Sequence, residues 1–284
     1  MKWANLVVNG QARAGLVEGD MVCLSQAAQV KEILGDLRAA AKAVEGGPRV
    51  PLSEVGLRQP ILRPGKILAI GLNYAAHAKE SVSFIKPTPA SVQKWFNKQT
   101  TAANGPFDPV HLPIVSEQLD YEAELVVIIG KTGRHVPAAR AHELIAGYSC
   151  GCDVSVRDWQ RASQTMIMGK GFDTHAPFGP FLVTPDEIDD FKALEVRGYV
   201  NGELRQSGHA RDMVFSVADQ IAHLTQAFTL EPGDVIFTGT PAGVGAGFDP
   251  PKWLKAGDRV RVEISGLGHI ENEIIEETDT TVLG

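Results

Sequence analysis

Three carboxylates open an otherwise apolar run in LDYEAELVVIIG, residues 119–130. In a strand, Glu122 and Glu124 would share one face, with their Cα atoms roughly 7 Å apart. Asp153 is a further carboxylate inside apolar, strand-like sequence. Oxygen ligands without cysteine or histidine suit a hard cation such as Mg²⁺, Mn²⁺ or Ca²⁺. The alternative is that both glutamates face solvent and Asp153 caps a turn; Asp120 is expected to be a solvated neighbour.

A second pair of residues has the spacing of a catalytic dyad. His77 and Glu80 are three apart in NYAAHAKES, so they lie on one side of a helix if that piece is helical. A carboxylate that orients an imidazole makes it a better general base near neutral pH. The alternative is a surface histidine beside a surface glutamate.

Four further polar features lie downstream. Arg157 has a donor fork suited to a carboxylate, either of a ligand or of a structural acid. Gln160 is a neutral hydrogen-bonding group for a keto or carboxylate oxygen. Lys170 lies between two glycines, which is typical of a loop that approaches another group closely, although a loop lysine is commonly solvated. The segment TGTPAGVG, residues 238–245, which contains Thr240, predicts either a turn whose amides face an anion or an ordinary tight turn.

The elements that carry these residues divide the chain in two. Residues 1–62 predict a small α/β domain, with turns at Asn9-Gly10 and Gly19-Asp20 and a helical stretch from residue 30 to residue 44. Residues 63–284 predict a second, strand-rich domain. Its strand candidates are 123–129, 147–156, 194–200, 234–238 and 259–264, and its helix candidates are 136–147 and 214–228. Residues 84–118 contain five prolines and little periodicity, which is typical of a lid or binding loop.

Composition excludes several classes of function. A net charge of −7 and the lack of a basic run argue against binding to nucleic acid. Three cysteines suit a reducing compartment, and Cys150 and Cys152 are interpreted as buried thiols rather than zinc ligands. We found no signal-peptide core and no apolar run long enough for a membrane span, so we expect a cytoplasmic location and no membrane partner. A strand–GxGxxG–helix unit and a P-loop are also missing.

Six segments, in order from Lys66 to Glu276, resemble the fumarylacetoacetate hydrolase family: KILAIGLNYAAHAKE, DYEAELVVIIGK, GYSCGCDVSVRDWQ, GKGFDTHAPFGP, VNGELRQSGHARDMVFS and LEPGDVIFTGTPAGVG. The resemblance implies an α+β, mostly β fold, with a mixed β-roll as the catalytic domain. The chain departs from the family pattern at His209-Ala210 and in the long polar stretch 81–99, where the family has its lid.

The resemblance also implies roles for the residues above. The metal ligands, for Mg²⁺ or Mn²⁺, would be Glu122, Glu124 and Asp153. The dyad that activates water would be His77 and Glu80, with Lys170 beside metal and substrate. The residues that contact substrate would be Arg157, Gln160 and Thr240.

The expected function is hydrolysis of the C–C bond of a 2,4-dioxo acid to pyruvate, or a homologue, and a carboxylic acid, as in catabolism of aromatic or sugar acids. An intact His77–Glu80 pair favours hydrolysis, because decarboxylation and tautomerisation need no nucleophilic water. The alternative is an oxaloacetate decarboxylase or a hydroxymuconate-type isomerase or decarboxylase on the same enolate-stabilising site. A remote alternative is a non-catalytic metal-binding protein. The resemblance implies a homodimer as the assembly.

Overall fold

The structure is a computed structural model that describes residues 1–83 and 91–282. Its strands are β1 (Lys2–Val8), β2 (Gln11–Glu18), β3 (Met21–Leu24), β4 (Arg49–Pro51), β5 (Gly56–Arg58), β6 (Ile67–Gly71), β7 (Lys94–Lys98), β8 (Ala103–Asn104), β9 (Val110–Leu112), β10 (Leu119–Asp120), β11 (Ala123–Ile129), β12 (Ile145–Cys152), β13 (Ser155–Val156), β14 (Ala176–Val183), β15 (Glu195–Val200), β16 (Glu203–His209), β17 (Val235–Phe237), β18 (Arg259–Ile264) and β19 (Gly268–Glu276). The α-helices are α1 (Leu37–Val44), α2 (Ala75–Glu80), α3 (Arg157–Ala162), α4 (Ile167–Lys170) and α5 (Val217–Ala227). The short 3₁₀ helices are Val30–Ile33, Leu52–Glu54, Ser81–Ser83, Thr100–Ala102, Ala138–Leu144, Pro185–Glu187, Phe191–Ala193, Ala210–Asp212 and Gly245–Gly247.

One large mixed sheet forms the centre of the molecule. Its main path runs β4-β3-β2-β1-β14-β12-β11-β17-β6-β7, and most neighbours are antiparallel, whereas β17 and β6 are parallel. A second sheet has the order β16-β15-β18-β19-β9. The expectation of an α+β, mostly β fold is therefore confirmed.

The amino-terminal strands belong to the same sheet as the rest of the chain. Lys2 and Trp3 of β1 pair with Val183 and Leu182 of β14. Strands from both sides of residue 62 thus share backbone hydrogen bonds. The division into domains 1–62 and 63–284 stays a prediction.

The predicted hairpin turns are present in the amino-terminal strands. Asn9-Gly10 connects β1 to β2, and both residues have positive φ, as a two-residue hairpin turn of this type requires. The predicted helical stretch is interrupted, because Val30–Ile33 forms a 3₁₀ turn and α1 begins only at Leu37. Asp36 lies between the two helical pieces and caps the amino terminus of α1, where its side chain accepts a hydrogen bond from the amide of Ala39.

The strand predictions in the second half agree closely with the structure. Strands β11 and β18 have the predicted bounds 123–129 and 259–264. Helix α5 lies within the predicted 214–228, where Ser216 and Asp219 form a reciprocal capping box. Residues 136–147 do not form an α-helix: a 3₁₀ helix ends at Leu144, and the following residues instead pair with β11.

The predicted lid, residues 84–118, is only partly irregular. Residues 84–90 lie outside the described residues, and the remainder contains β7, β8 and β9. Strand β7 pairs antiparallel with β6, so this part of the segment is an ordered extension of the large sheet.

All seven residues of β11 are buried, in agreement with its apolar sequence. Cys150 and Cys152 are free and buried, as predicted, and burial raises the pKa of each thiol to about 12. In the part of the chain that the structure describes, no helix is long and apolar enough to cross a membrane.

Candidate metal centre and active site

Strands β11 and β12 bring the three predicted carboxylates together. Their register pairs Ala123 with Cys152, and the amide of Asp153 donates to the carbonyl oxygen of Glu122 over 2.9 Å. One carboxylate oxygen from each of Glu122, Glu124 and Asp153 lies within 4.8 Å of the others. The three residues are at most 6% exposed. The alternative of two solvated glutamates and a turn cap is therefore wrong.

Two buried lysines balance part of this negative charge. Lys170 Nζ lies 2.8 Å from Glu122 Oε2 and 2.7 Å from Asp153 Oδ2, so it is not the solvated loop lysine of the alternative interpretation. Lys98 Nζ donates to the other oxygen of Asp153 over 2.5 Å and to the carbonyl of Val154. Sequence analysis missed Lys98; the alternation of β7, which turns Phe96 and Lys98 to one face, was the available signal.

The cations act unequally on the two glutamates. Burial by itself would raise the pKa of Glu122, but Lys170 and Arg157 more than offset this and hold the pKa well below its usual range. Burial and the neighbouring charges of Asp153 and Glu122 raise the pKa of Glu124 well above its usual range. Glu124 has no salt-bridge partner among the described residues. Without a bound cation, Glu124 is therefore the carboxylate of the triad that holds a proton most readily.

The turn after β17 faces this unpaired carboxylate. The amide of Gly239 donates a hydrogen bond to Glu124 Oε2 over 2.7 Å. The anion that this turn was predicted to bind is therefore a side chain of the protein itself. Gly239 has φ +97°, and a Cβ there would lie 2.7 Å from Asn73 Cβ, so the close approach requires glycine. Thr240 Oγ1 donates to the carbonyl of Ala123, which anchors the turn on β11.

Asp120 is the clearest correction to the sequence analysis. It is fully buried, not solvated, and its Oδ2 accepts a 2.8 Å bond from Arg157 Nε. The amides of Gly245 and Ala246 also donate to its carboxylate. Arg157 reaches Glu122 as well, with Nη1 2.7 Å from Oε1. Of the two roles considered for Arg157, the structure thus shows contacts with acids of the protein itself, the buried Asp120 and the candidate metal ligand Glu122.

The predicted dyad is formed on the short helix α2. His77 Nδ1 lies 3.1 Å from Glu80 Oε2, and His77 is only 3% exposed, so this is not a surface pair. Glu80 Oε1 accepts a hydrogen bond from the amide of Gly243 over 2.9 Å. With Glu80 ionised, Nδ1 carries the imidazole proton and Nε2 is left as the basic nitrogen.

His77 of the dyad and Glu122 of the triad both line one small cavity of about 20 Å³, which is room for about one water molecule. Of the predicted residues, the wall contains His77, Glu122, Gln160, Lys170 and Thr240. Unpredicted lining residues are Ile70, Gly71, Leu72, Lys94, Phe96 and Met166.

The donor set fits a hard divalent cation. All three candidate ligands are carboxylates, which Mg²⁺ and Mn²⁺ prefer, and free thiols or imidazoles are not part of the group. The raised pKa of Glu124 marks a position where additional positive charge is favourable.

The chain is similar to known proteins over the residues that form this site. Residues 66–275 match the family model described as the carboxy-terminal domain of fumarylacetoacetate hydrolase. The mitochondrial oxaloacetate tautomerase FAHD2A of Homo sapiens is 44% identical over 230 residues, which cover 80% of this chain and 72% of that protein.

Two solved structures cover 98% of this chain and 100% of their own. The fumarylacetoacetate hydrolase of Exiguobacterium antarcticum has a TM-score of 0.87 and 37% identity. The maleylpyruvate hydrolase of Sphingobium sp. SYK-6, in complex with manganese(II) and pyruvate, has a TM-score of 0.81 and 31% identity. The family match spans most of the sequence and includes every candidate site residue. The chain belongs to the fumarylacetoacetate hydrolase family.

Proposed function

We propose that the protein is a metal-dependent enzyme that interconverts the keto and enol forms of a 2-oxo acid of the oxaloacetate type. The observation that carries this proposal is one cavity lined by His77, Lys170 and Glu122. Glu80 is hydrogen-bonded to His77, and the other two carboxylates of the acidic triad lie beside Glu122. The human relative, an oxaloacetate tautomerase by name, supports the same substrate class.

Glu122, Glu124 and Asp153 would hold Mg²⁺ or Mn²⁺. When bound, such an ion supplies Lewis acidity toward the oxygens of a 2-oxo acid.

The remaining chemistry is a proton transfer by the chain's own residues. His77 Nε2 would take the proton from C3 of the keto form and return it there in the reverse direction, with Glu80 stabilising the imidazolium between these steps. Lys170 would face the negative charge that develops on the 2-oxo oxygen. The imidazolium of His77 would then give that proton to the 2-oxo oxygen, so C3 loses one proton, the oxygen gains one, and His77 returns to its neutral form.

Gln160 would orient the substrate's oxygens through its side-chain amide. Thr240 would do so through its backbone amide, because its hydroxyl proton is donated to Ala123. Arg157 would act one contact away, because it holds Glu122 rather than lining the cavity.

Hydrolysis of a 2,4-dioxo acid is a second candidate, favoured by the same dyad. In that reaction, His77 would take a proton from water, and the hydroxide would attack the distal carbonyl. The likeness to maleylpyruvate hydrolase supports this candidate. The third candidate is a non-catalytic metal-binding protein, and the absence of turnover with every substrate would favour it.

A substrate panel separates these reactions. Purified protein with Mg²⁺ or Mn²⁺ is given enol-oxaloacetate, acetopyruvate and fumarylpyruvate, while loss of enol absorbance and formation of pyruvate are recorded separately. Tautomerisation consumes enol-oxaloacetate without pyruvate above the uncatalysed rate, whereas decarboxylation or C–C hydrolysis yields pyruvate. Acylpyruvate cleavage without acceleration of oxaloacetate tautomerisation would contradict the tautomerase proposal.

The metal site has its own test. We expect Glu122→Gln to abolish both turnover and the thermal stabilisation by Mn²⁺, because it removes one anionic ligand. Glu117→Gln, which neutralises an exposed carboxylate, should change neither. Retention of Mn²⁺ stabilisation in Glu122→Gln would contradict the assignment of Glu122 as a ligand. A homodimer and a cytoplasmic location stay predictions for this chain.

A further inference from the structure

Lys94 is a cation at the wall of the active-site cavity that the reaction above does not use. It is the first residue of β7, and it lines the cavity together with Phe96. Alternation along β7 gives Lys94, Phe96 and Lys98 one common face. The side chain of Lys94 thus extends on the side of the strand where Lys98 meets Asp153.

The opposite position on β6 provides space for this lysine. Gly71 pairs with Lys94, and a Cβ at Gly71 would lie 3.8 Å from Lys94 Cδ. The aliphatic stem of Lys94 therefore crosses the strand pair over the glycine. Because Lys94 also lines the cavity, its side chain borders the space that a substrate would enter.

Lys94 differs from the other cations of the site in having no acidic partner. Lys98, Lys170 and Arg157 each contact at least one carboxylate. Among the described residues, Lys94 makes no salt bridge or side-chain hydrogen bond. Residues 84–90, which lie outside the described part, have the sequence FIKPTPA and so bring no acidic side chain.

The surroundings of Lys94 are unfavourable for its charge. Burial, followed by the nearby Lys170, lowers the pKa of Lys94, and no carboxylate opposes the shift. An anion placed between Lys94 and the cavity would relieve this repulsion and accept a charge-assisted hydrogen bond.

The three lysines near the cavity differ in their exposure to solvent. Lys170 and Lys98 are 1% and 2% exposed, whereas Lys94 is half-buried. The two buried lysines contact the candidate metal ligands. Lys94 is therefore the cation closest to solvent, where the end of a substrate remote from the metal would lie.

We propose that Lys94 is a specificity-determining residue that binds the distal carboxylate of a 2-oxo dicarboxylic acid. This inference rests on the proposed function, since it assumes that the 2-oxo acid end of the substrate faces the acidic triad. Lys94 selects dicarboxylates over 2-oxo acids that end in a methyl group, and it takes no part in proton transfer.

The test compares two substrates that differ only at the distal end, oxaloacetate and 2-oxobutanoate. Exchange of their C3 protons with D₂O, followed by NMR, gives kcat and KM for the Mn²⁺-loaded enzyme. Quenching of tryptophan fluorescence gives a Kd for each compound independently of turnover, with Trp95 adjacent to Lys94 as a reporter.

Lys94→Met keeps the length of the side chain and removes its charge. We expect it to raise KM and Kd for oxaloacetate about 10- to 100-fold, as loss of one charge-assisted hydrogen bond would. Both constants for 2-oxobutanoate should stay within about twofold, and Lys94→Arg should keep most of the preference. The matched control Lys255→Met, at an exposed lysine, should leave all constants unchanged.

The outcomes separate this inference from the proposed function. If Lys94→Met weakens the binding of both compounds equally, or of neither, Lys94 does not bind the distal carboxylate. This conclusion holds even when oxaloacetate is still tautomerised. If the wild-type protein binds oxaloacetate more tightly than 2-oxobutanoate, and Lys94→Met removes that preference without any turnover by either protein, the specificity role stands and the tautomerase proposal fails.

Discussion

The ion pair between Asp120 and Arg157 offers a sharp test of how this site is stabilised. Asp120→Asn keeps the shape of the side chain and removes its charge. Both carboxylate oxygens are already occupied: one accepts from the amides of Tyr121 and Gly245, and the other accepts from Arg157 and the amide of Ala246. Whichever oxygen becomes an NH₂ group, a donor then faces two donors.

The expected cost follows from full burial of both partners. Breaking one side of a buried ion pair typically costs about 3–5 kcal/mol, since the remaining charge is desolvated without its counter-ion. Arg157 keeps Glu122 as a partner at 2.7 Å, so we place the loss of unfolding free energy near the lower end, about 3 kcal/mol.

The measurement is urea denaturation followed by circular dichroism, in the presence of a chelator so that metal binding does not contribute. Asp108→Asn is the matched control: it is the same substitution at the exposed Arg58–Asp108 pair, where N and O are 3.1 Å apart, and it should cost less than about 1 kcal/mol. Equal losses in the two variants would refute the reasoning, because burial would then not determine the cost.

Three further predictions concern other parts of the fold. Burial lowers the pKa of His175 to about 3; the unfolded chain therefore binds more protons below about pH 6.5, and stability falls as pH falls toward 3. Between pH 7 and pH 5, urea denaturation should show a loss about 2 kcal/mol larger for the wild type than for His175→Gln, and equal losses would exclude His175 as the cause. Gly243→Ala should lower the free energy of unfolding by more than about 2 kcal/mol, because the new Cβ would lie 1.8 Å from the Arg205 carbonyl oxygen and the residue has φ +107°. Gly10→Ala, where a Cβ would meet no atom within 4 Å, should lower it less. Thermal or urea unfolding measures both losses. The Cys150 thiol should resist alkylation in the native protein and react after denaturation, because it is buried and its pKa is raised to about 12; mass spectrometry of the labelled peptides checks this.

Local pattern was sufficient for much of the fold and of the site. The apolar run of β11 fixed a strand, and alternation placed Glu122 and Glu124 on one face. The sequence pattern of residues 214–228 predicted a helix, and α5 lies within these bounds. These features depend on neighbours within a few residues, so a single sequence contains them.

The features that were missed depend on contacts between distant segments. Lys98 meets Asp153 across 55 positions, and the alternation that places it on the face of Phe96 does not identify this distant partner. The prediction that Asp120 is solvated is wrong because its partners, Arg157 and the amide of Gly245, come from two other elements. Long-range ion pairs of this kind have no periodic signal, so only the folded chain reveals them.

The positions of β11 and β7 in the large sheet have a consequence for how this protein can change. Strand β11 lies between β12 and β17, whereas β7 ends the described path of the sheet. Amides of β11 should exchange with solvent only through global unfolding, while those of β7 become accessible through cheaper local opening. Glu124 lies on protected β11, with Glu122 and Asp153 directly beside the ends of β11 and β12, whereas Lys94 lies on the strand that opens more easily. Substitutions at position 94 can alter which acids are accepted while β11, three strands away along the sheet, is unchanged, which gives this scaffold a route to new substrates without loss of its reaction.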